Sequence, residues 1–328
     1  MYSSLFFQII RCLAIVLLMT TTVFAEQTRV IVFCGGPIGS TAQVFADALT
    51  SVVASIDENT FFTAENSQGS IENISLLKQH KANFGIITMA DAYMARNGKL
   101  STVGVSSQNA RAVAYLYNTP AQLIVDANSN IKTVNDLAGK RIAIGTLGSG
   151  DAEACKRFLR HIGLWKKITP VSIGYAKAAD AFTHGEVDAF WVMDGYPTIS
   201  IVNVTRKRDI RLLDLDGPAR KSGFYRANSY YSPTSIPGGT YRGQIMSVPS
   251  FGTVTYVFAR ADTPDDIVYR VTQDIYSHRG IRQLEIAHKA AFQTLVEDAL
   301  LGCIVPIHPG AKRFYESIGL PIPGRAQP

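Results

Sequence analysis

Residues 141–164, RIAIGTLGSGDAEACKRFLRHIGL, carry the pattern that decides the fold. The apolar run Arg141–Gly145 predicts a β-strand, a loop rich in glycine and serine follows, and Asp151–Leu164 is predicted to be a helix. The same order occurs near the start of the chain, where Arg29–Phe33 precedes a glycine-rich loop and the amphipathic stretch 40–52. Strands that alternate with helices favour mostly parallel sheets covered by helices, so we predict an α/β fold.

The rest of the chain continues this alternation, and a helical part closes it. Further strands are expected at Phe61–Ala64, Phe84–Thr88, Ala110–Tyr117, Ala121–Val125, Val171–Ile173, Ala189–Met193 and Thr253–Phe258. Further helices are expected at Ser70–His80, Ala176–Gly185, Pro264–Tyr276, His288–Leu301 and Gly310–Ile318. We expect this helical C-terminal part to pack back on the N-terminal part of the chain.

The length and charge of the chain limit its class. Its 328 residues are 47% hydrophobic, and a chain of this length is expected to form roughly two domains of about 150 residues each. The formal net charge is +6, but the basic residues are spread out, and the densest run, 206–208, is followed at once by Asp209. Because a nucleic-acid-binding protein usually gathers its basic residues on one face, we predict no nucleic-acid partner.

The N-terminal 25 residues have the pattern of an export signal. Arg11 precedes the strongest apolar run, Cys12–Met19, and small residues stand at the positions that a signal peptidase recognises before Ala25. The run is eight residues long, whereas a membrane-spanning helix needs about 20. We therefore predict a signal peptide over residues 1–25, cleaved after Ala25, and a periplasmic protein, with a retained anchor as the alternative.

Three cysteines follow the predicted cleavage site: Cys34, Cys155 and Cys303. An odd number allows at most one disulfide and leaves at least one free thiol. The cysteines lack the paired spacing of a zinc site, so we predict no metal site and interpret each as a small buried apolar residue.

Three glycine-bearing loops each connect a predicted strand to a helix: Gly35–Thr41, Asn66–Ser70 and Thr146–Asp151. Glycine lets the backbone approach a ligand closely, and the free N–H groups at a helix start attract a carboxylate or phosphate. Any one loop is equally explained as an ordinary turn. Three such loops at the carboxyl ends of strands, where open α/β sheets bind ligands, favour an anion-binding site.

Motifs for catalysis are missing from the sequence. The loop Gly35–Gly39 does not fit the dinucleotide fingerprint, and the nucleoside-triphosphate loop, the zinc-protease motif and the nucleophile elbow do not occur. The six histidines are scattered singly. We therefore predict a binding protein without a cofactor rather than an enzyme.

A series of short motifs resembles one family of binding proteins. The motifs are Ser67–Asn73 (SQGSIEN), Asn83–Ile87 (NFGII), Ile131–Arg141 (IKTVNDLAGKR), Gly145–Gly150 (GTLGSG), Gly185–Trp191 (GEVDAFW), Gly195–Pro197 (GYP), Ile236–Tyr241 (IPGGTY) and His308–Ala311 (HPGA). In this order, from about residue 30 to residue 319, they resemble the TAXI proteins, which are the solute receptors of one branch of the tripartite ATP-independent periplasmic (TRAP) transporters.

The resemblance implies a type II periplasmic-binding-protein fold, with two α/β lobes joined by crossing strands and a ligand cleft between them. Lobe one is expected to comprise residues 26–119 and 250–328, and lobe two residues 120–249. The implied solute is a small carboxylate, either a glutamate-like amino acid or a dicarboxylate. The implied partners are the membrane permease subunits of a TRAP transporter, and the receptor itself is expected to be monomeric. The alternatives are a stand-alone periplasmic binding or sensing protein of the same fold and an enzyme built on the two-lobed scaffold.

Matching the family motifs to this sequence gives twelve candidate ligand-binding residues: Gly39, Ser40, Thr41, Gln68, Gly69, Ser70, Ser149, Gly150, Asp151, Gly195, Tyr196 and Pro197. Asp188 is expected to fix loop geometry rather than to touch the ligand. Three features depart from the family pattern. The first loop lacks the family's aromatic pair, Met89-Ala90-Asp91 replaces a commoner Gln-Ser-Asp, and Asp151 stands where threonine or serine is usual. We expect Asp151 to cap a helix or to face an ammonium group, with capping preferred.

Overall fold

The structure is a computed structural model, and it describes residues 29–53, 60–100 and 108–326. The predicted signal peptide and its cleavage site after Ala25 lie outside these residues. Within the described ranges, no helix combines the length and apolar character needed to cross a membrane.

The described residues form ten strands, in good agreement with the predicted alternation. They are β1 Arg29–Cys34, β2 Thr60–Glu65, β3 Phe84–Thr88, β4 Ala110–Asp126, β5 Arg141–Ala143, β6 Thr169–Val171, β7 Ala189–Met193, β8 Ile210–Leu212, β9 Ser232–Ile236 and β10 Val248–Arg260. The α-helices are α1 Thr41–Val53, α2 Ser70–Lys78, α3 Met89–Arg96, α4 Gly150–His161, α5 Tyr175–Thr183, α6 Ile199–Thr205, α7 Asp216–Ser222, α8 Phe224–Ala227, α9 Asp265–Ile275, α10 His278–Ala287 and α11 Pro309–Ser317. Short 3-10 helices occur at Val134–Leu137, Trp165–Lys167, Lys289–Gln293 and Gly324–Ala326.

The strand order of the sheet is β2-β1-β3-β10-β4-β7-β5-β6, and its two long strands, β10 and β4, lie side by side at the centre. The 17-residue strand β4 pairs with β10 as far as Pro120 opposite Gly252, and from Ala121 onward it pairs with β7. Strands β8 and β9 add to β4 and β10. Strands β4 and β10 therefore connect the two halves of the molecule.

The buried apolar residues form separate cores on either side of these connections. The largest core is drawn from the segments Ile31–Tyr117 and Tyr256–Ala326. Two smaller cores are drawn almost entirely from residues 121–251, and one of them includes Ala90. We call the half that holds the first core lobe one and the half that holds the other two lobe two. The exact boundaries at residues 119 and 250 stay a prediction.

The expectation of mostly parallel sheets is wrong, because the sheet contains both parallel and antiparallel strand pairs. Strand β1 pairs in parallel with β2 and β3, and β5 does so with β6 and β7. Every pairing that β4 and β10 make with another of the ten strands is antiparallel. The sheet is mixed because β10 runs antiparallel to β3 of lobe one and β4 runs antiparallel to β7 of lobe two.

The predicted helix His288–Leu301 is also wrong. Helix α10 instead ends at Ala287, a single 3-10 segment follows, and residues 294–301 contain turns. His288 has an extended backbone with φ −156°, and its Nδ1 accepts from the Ala290 N–H at 3.0 Å. Contacts with β4 hold the next residues, since the Asn118 N–H donates to Gln293 Oε1 and the Thr294 hydroxyl donates to the Leu116 carbonyl.

Candidate functional site

All three predicted glycine-bearing loops meet at one cavity between the lobes. Its volume, counted as the space open to the centres of water-sized molecules, is about 70 Å³, which exceeds the ~10–15 Å³ that one water needs. The loops contribute ten of its lining residues: Gly35, Pro37, Ser40, Gln68, Gly69, Ser70, Thr146, Ser149, Gly150 and Asp151. The cavity therefore has room for a small solute and is bounded by helix starts from both lobes.

The start of α1 is occupied by a carboxylate from the other lobe. The Thr41 N–H donates to Asp194 Oδ2 at 2.8 Å, and the Gly195 N–H donates to Asp194 Oδ1 at 2.8 Å. The Thr41 hydroxyl donates to the Gly195 carbonyl at 3.1 Å. Through these hydrogen bonds Asp194 and Gly195 join lobe two to the first helix of lobe one.

The start of α4 also lies close to a carboxylate of lobe one. Ser149 is the N-cap residue of α4, and its hydroxyl accepts from the Ala152 N–H at 3.1 Å. A Cβ atom built on Gly150 would lie 2.1 Å from Asp91 Oδ2. Only a glycine at position 150 permits this approach. Asp91 belongs to the first turn of α3, and Thr88, the N-cap of that helix, donates its hydroxyl hydrogen to Asp91 Oδ2 at 3.0 Å.

The start of α2 has no such partner. Its N-cap residue, Gly69, has φ 106° and gives no side-chain cap. The Ser70 hydroxyl accepts from the Thr88 N–H at 2.9 Å, which ties this helix to the end of β3. The Asn73 side chain holds the loop in place, since its amide donates to the carbonyls of Gly35 at 2.7 Å and Ile86 at 2.8 Å. The Gln68 N–H donates to Glu72 Oε2 at 2.5 Å and the Gly69 N–H donates to Ser67 Oγ at 3.0 Å. The α2 start is thus rigidly placed at the cavity, and the N–H groups of Gln68 and Gly69 already have protein acceptors.

Asp151 does not cap α4, so the preferred expectation for it is wrong. Ser149 takes the capping position because it directly precedes the helix. The Asp151 carboxylate turns instead to the end of β7, where its Oδ1 accepts from the Met193 N–H at 2.7 Å. Its Oδ2 is fully buried and makes no hydrogen bond of ordinary geometry, while hydrogen bonding with the Tyr175 and Trp191 side chains partly offsets the rise that burial causes in the pKa of this carboxyl.

The charged lining residues are Asp91, Asp151 and Asp194. Burial raises the pKa of the Asp91 carboxyl, raises that of Asp151 well above its ordinary value, and raises that of Asp194 to about 7. Desolvation disfavours the charged form of an acid. Burial therefore favours the protonated, neutral form of these three carboxyl groups.

Three tyrosines and several hydroxyls complete the lining. Tyr117, Tyr175 and Tyr231 present aromatic rings, and the Tyr175 hydroxyl donates to the Met193 carbonyl at 3.3 Å. Arg157 donates to the Tyr231 hydroxyl at 2.8 Å. Such rings give flat apolar contacts with a polar edge.

Of the twelve candidate residues, seven line the cavity: Ser40, Gln68, Gly69, Ser70, Ser149, Gly150 and Asp151. The other five are Gly39, Thr41, Gly195, Tyr196 and Pro197. Thr41 and Gly195 join the lobes as described, and the Pro197 carbonyl accepts from His288 Nε2 at 3.2 Å. Gly39 occupies a turn with φ 85°, and Tyr196 is half-buried outside the lining. A ligand-binding role for these twelve residues stays a prediction.

Sequence reasoning missed Asp91, Asp194 and the three tyrosines. Asp194 directly follows β7 and Asp91 lies three residues after β3. The rule that ligands bind beyond the carboxyl ends of strands therefore pointed to both acids. Tyr231 lies in the irregular stretch before β9, where no local pattern marks it.

Two other expectations are confirmed. Asp188 fixes loop geometry by accepting from the Arg141 N–H at 2.8 Å and from its guanidinium at 2.9 Å. Cys34, Cys155 and Cys303 are buried free thiols whose pKa is raised by burial.

A comparison with known families decides the relationship of the chain. The model of the NMT1-like family matches residues 34–319, which is most of the sequence. The chain belongs to the NMT1-like family. This NMT1-like protein is accordingly a member of a periplasmic solute-binding family and not an enzyme, as the sequence predicted.

Solved structures agree with this NMT1-like protein in fold. A protein from Bordetella bronchiseptica RB50 is 16% identical, with 89% of this chain and 98% of that chain covered and a TM-score of 0.53. A periplasmic transporter is 15% identical, with coverage of 81% and 94% and a TM-score of 0.50. The predicted two-lobed α/β fold of type II periplasmic binding proteins is thereby confirmed.

Proposed function

We propose that this protein is the extracytoplasmic solute-binding subunit of a TRAP-type secondary transporter, of the TAXI branch, and that it captures a small carboxylate by closure of its lobes. The observation that carries the proposal is the cavity between the lobes, which three helix starts from both lobes border. Helix starts attract negative groups through their free N–H groups and the helix dipole.

The contacts between the lobes support a reversible closure. Hydrogen bonds join Thr41 to Asp194 and Gly195, and His288 to Pro197. Each such bond contributes about 0.5–3 kcal/mol, so a few of them hold a closed state that thermal motion can still open. Strands β4 and β10 connect the lobes and are the place for a hinge.

We place the carboxylate of the solute at the start of α2. Gln68, Gly69 and Ser70 line the cavity there, and the helix lacks a side-chain cap. The hydroxyls of Ser40 and Ser149 lie in the same lining and supply further polar contacts. On this proposal the mature protein is a periplasmic monomer, released by cleavage after Ala25, and its closed form docks on permease subunits.

Identification of the bound solute tests the proposal. Protein purified directly from cells is denatured, and mass spectrometry identifies the small molecules released in one-to-one amounts. We expect a small carboxylate that raises the melting temperature when it is added back. The Ser70→Ala variant should bind it more weakly while keeping its fold. A solute without a carboxylate, or unchanged affinity in Ser70→Ala, would contradict the assignment.

Transport is tested separately from binding. Vesicles that contain a TRAP-type permease from the same organism should take up the identified solute only when this protein is present outside them. Uptake without the protein would favour the alternative of a stand-alone binding or sensing protein.

A further inference from the structure

A second recess lies on the surface of the molecule where the two lobes meet. Its volume, counted in the same way as that of the cavity, is about 420 Å³. The lining residues that are charged at neutral pH are Lys99 of lobe one and Glu153, Lys156, Arg157 and Arg160 of lobe two. None of its described lining residues also lines the cavity. We call this recess the basic groove.

The positive charge of the basic groove is largely uncompensated. Glu153 is the one acidic residue in its described lining, and the Lys156 ammonium lies 3.8 Å from the Glu153 carboxylate. Within the described ranges, Lys99, Arg157 and Arg160 form no salt bridge. Since Lys156 offsets Glu153, three cationic side chains remain without an acidic partner.

Arg157 is half-buried and is held by aromatic residues. It donates to the Tyr231 hydroxyl at 2.8 Å, and its guanidinium carbon lies 5.9 Å from the ring centre of Tyr230 and 6.0 Å from that of Tyr231. Asp91 interacts with Arg157 electrostatically but forms no salt bridge with it. Burial raises the pKa of the Asp91 carboxyl, although the charge of Arg157 partly offsets this rise. A guanidinium has five N–H donors, so Arg157 keeps donors for an anion in the groove.

Arg160 and Lys156 lie on the same face of α4. They are four residues apart, which makes their side chains neighbours on the helix. Both contact the Trp165 ring, with the Lys156 ammonium 5.9 Å and the Arg160 guanidinium carbon 6.0 Å from its centre. These contacts restrict the side chains, so less conformational entropy is lost when they bind an anion. The planar guanidinium groups match pairs of phosphate oxygens.

Lys99 brings lobe one into the basic groove. It follows α3, and its ammonium lies 6.0 Å from the centre of the Tyr93 ring. Tyr93 of lobe one packs on Tyr230 of lobe two, with ring centres 5.6 Å apart. Opening of the lobes would separate these rings and move Lys99 away from the arginines of α4. The groove is therefore complete only when the lobes are closed.

We infer that the basic groove binds a small phosphate-type anion, and that the bound anion stabilises the closed state of the lobes. Its tetrahedral oxygens would accept from Arg157 and Arg160 of lobe two and from Lys99 of lobe one. Its two negative charges suit a surplus of three cations better than the single charge of a carboxylate does. A ligand that contacts both lobes binds the closed state more tightly and shifts the equilibrium towards it. The inference concerns a second site and does not depend on which solute the cavity takes.

Calorimetry with inorganic phosphate at constant ionic strength tests the site. We expect saturable one-to-one binding that is about tenfold weaker in Arg160→Gln, because loss of one charge-assisted hydrogen bond has an effect of this size. Arg206→Gln is the matched control, since Arg206 is an exposed residue at the end of α6 of lobe two. Absence of saturable binding, or equal weakening in both variants, overturns the inference. Binding to phosphatidylglycerol vesicles without binding of inorganic phosphate also overturns it, because the groove would then recognise a membrane.

Small-angle X-ray scattering tests the effect on closure. Inorganic phosphate should reduce the radius of gyration of the protein after dialysis to remove the solute of the cavity. Lys99→Gln removes the contribution of lobe one and should abolish most of this decrease while phosphate still binds to the arginines. Lys177→Gln, which changes an exposed lysine on α5, is the control and should behave like the wild type. A radius that phosphate does not change, or an undiminished decrease in Lys99→Gln, overturns the proposed effect on closure.

Discussion

Gly150 lies so close to Asp91 that a substitution at position 150 should weaken closure of the lobes without weakening the fold. Gly150 is the first residue of α4, and its φ is not in the left-handed region, so alanine fits the backbone. Alanine is favoured over glycine in a helix by about 0.5–1 kcal/mol. The fold of lobe two should therefore keep its stability or gain slightly in Gly150→Ala.

The closed state of the two lobes should be destabilised instead. The new methyl carbon would lie 2.1 Å from Asp91 Oδ2 and 2.9 Å from its Cγ, whereas ordinary contact begins at 3.4 Å. The carboxylate would have to retreat by about 1.3 Å, the difference between 3.4 and 2.1 Å. Asp91 is 4% exposed and is hydrogen-bonded to Thr88. Overpacking of this kind costs about 1–3 kcal/mol, which corresponds to a loss of roughly 5- to 150-fold in affinity for a solute bound in the closed form.

Small-angle X-ray scattering and calorimetry measure this effect. With the solute present, Gly150→Ala should have a larger radius of gyration and a weaker affinity than the wild type, at an unchanged or slightly higher melting temperature. Gly324→Ala is the control, because a Cβ atom there meets no atom within 4 Å. Wild-type scattering and affinity in Gly150→Ala would refute the reasoning that this contact belongs to the closed state.

Three further changes have distinct expected outcomes. Burial raises the pKa of Asp194 to about 7, against about 3.9 for an exposed aspartate, so the closed form binds this proton more tightly than the open form does. Closure, measured by scattering, should therefore weaken as the pH rises from 5 to 8. The Asp194→Asn variant should show a smaller change of closure with pH. Steeper dependence in Asp194→Asn would contradict this assignment. Ser149→Ala removes the cap on the Ala152 N–H and should cost about 1 kcal/mol in urea unfolding, while Ser149→Asp should restore most of it. Phe158→Ala removes a fully buried ring packed on Trp191 and Phe251 and should cost about 3–5 kcal/mol; a cost below 1 kcal/mol would show that this core is not packed as described.

The local patterns predicted most of the fold and the three loops of the site. Alternating apolar runs and glycine-bearing turns place β1, β2 and β5 with the helices that follow them, and also β3 and β7, but they missed the helices Met89–Arg96 and Ile199–Thr205 that follow β3 and β7. These signals are local, and the loops meet because parallel strands end at one edge of a sheet. The element that was predicted wrongly depends on contacts with residues far away in the sequence. The predicted helix at 288–301 has suitable residues, but hydrogen bonds from Gln293 and Thr294 to β4 stabilise a different path.

The acidic residues of the cavity were not predicted from the sequence for the same reason. Asp91 and Asp194 have their roles because the two lobes come together, which brings Asp194 to Thr41, 153 residues away, and Asp91 to Gly150, 59 residues away. Asp151 shows how a correct position can carry a wrong role. Its place at a helix start suggested a cap, but the serine two residues earlier holds that position and leaves the carboxylate facing β7.

A crystal structure of the protein with its co-purified solute tests the central claim most directly. The account predicts electron density for one small molecule in the cavity between the lobes, with its carboxylate within hydrogen-bond distance of the backbone at Gly69 and Ser70. Density for the solute on the outer surface of either lobe, with an empty cavity between them, would contradict it.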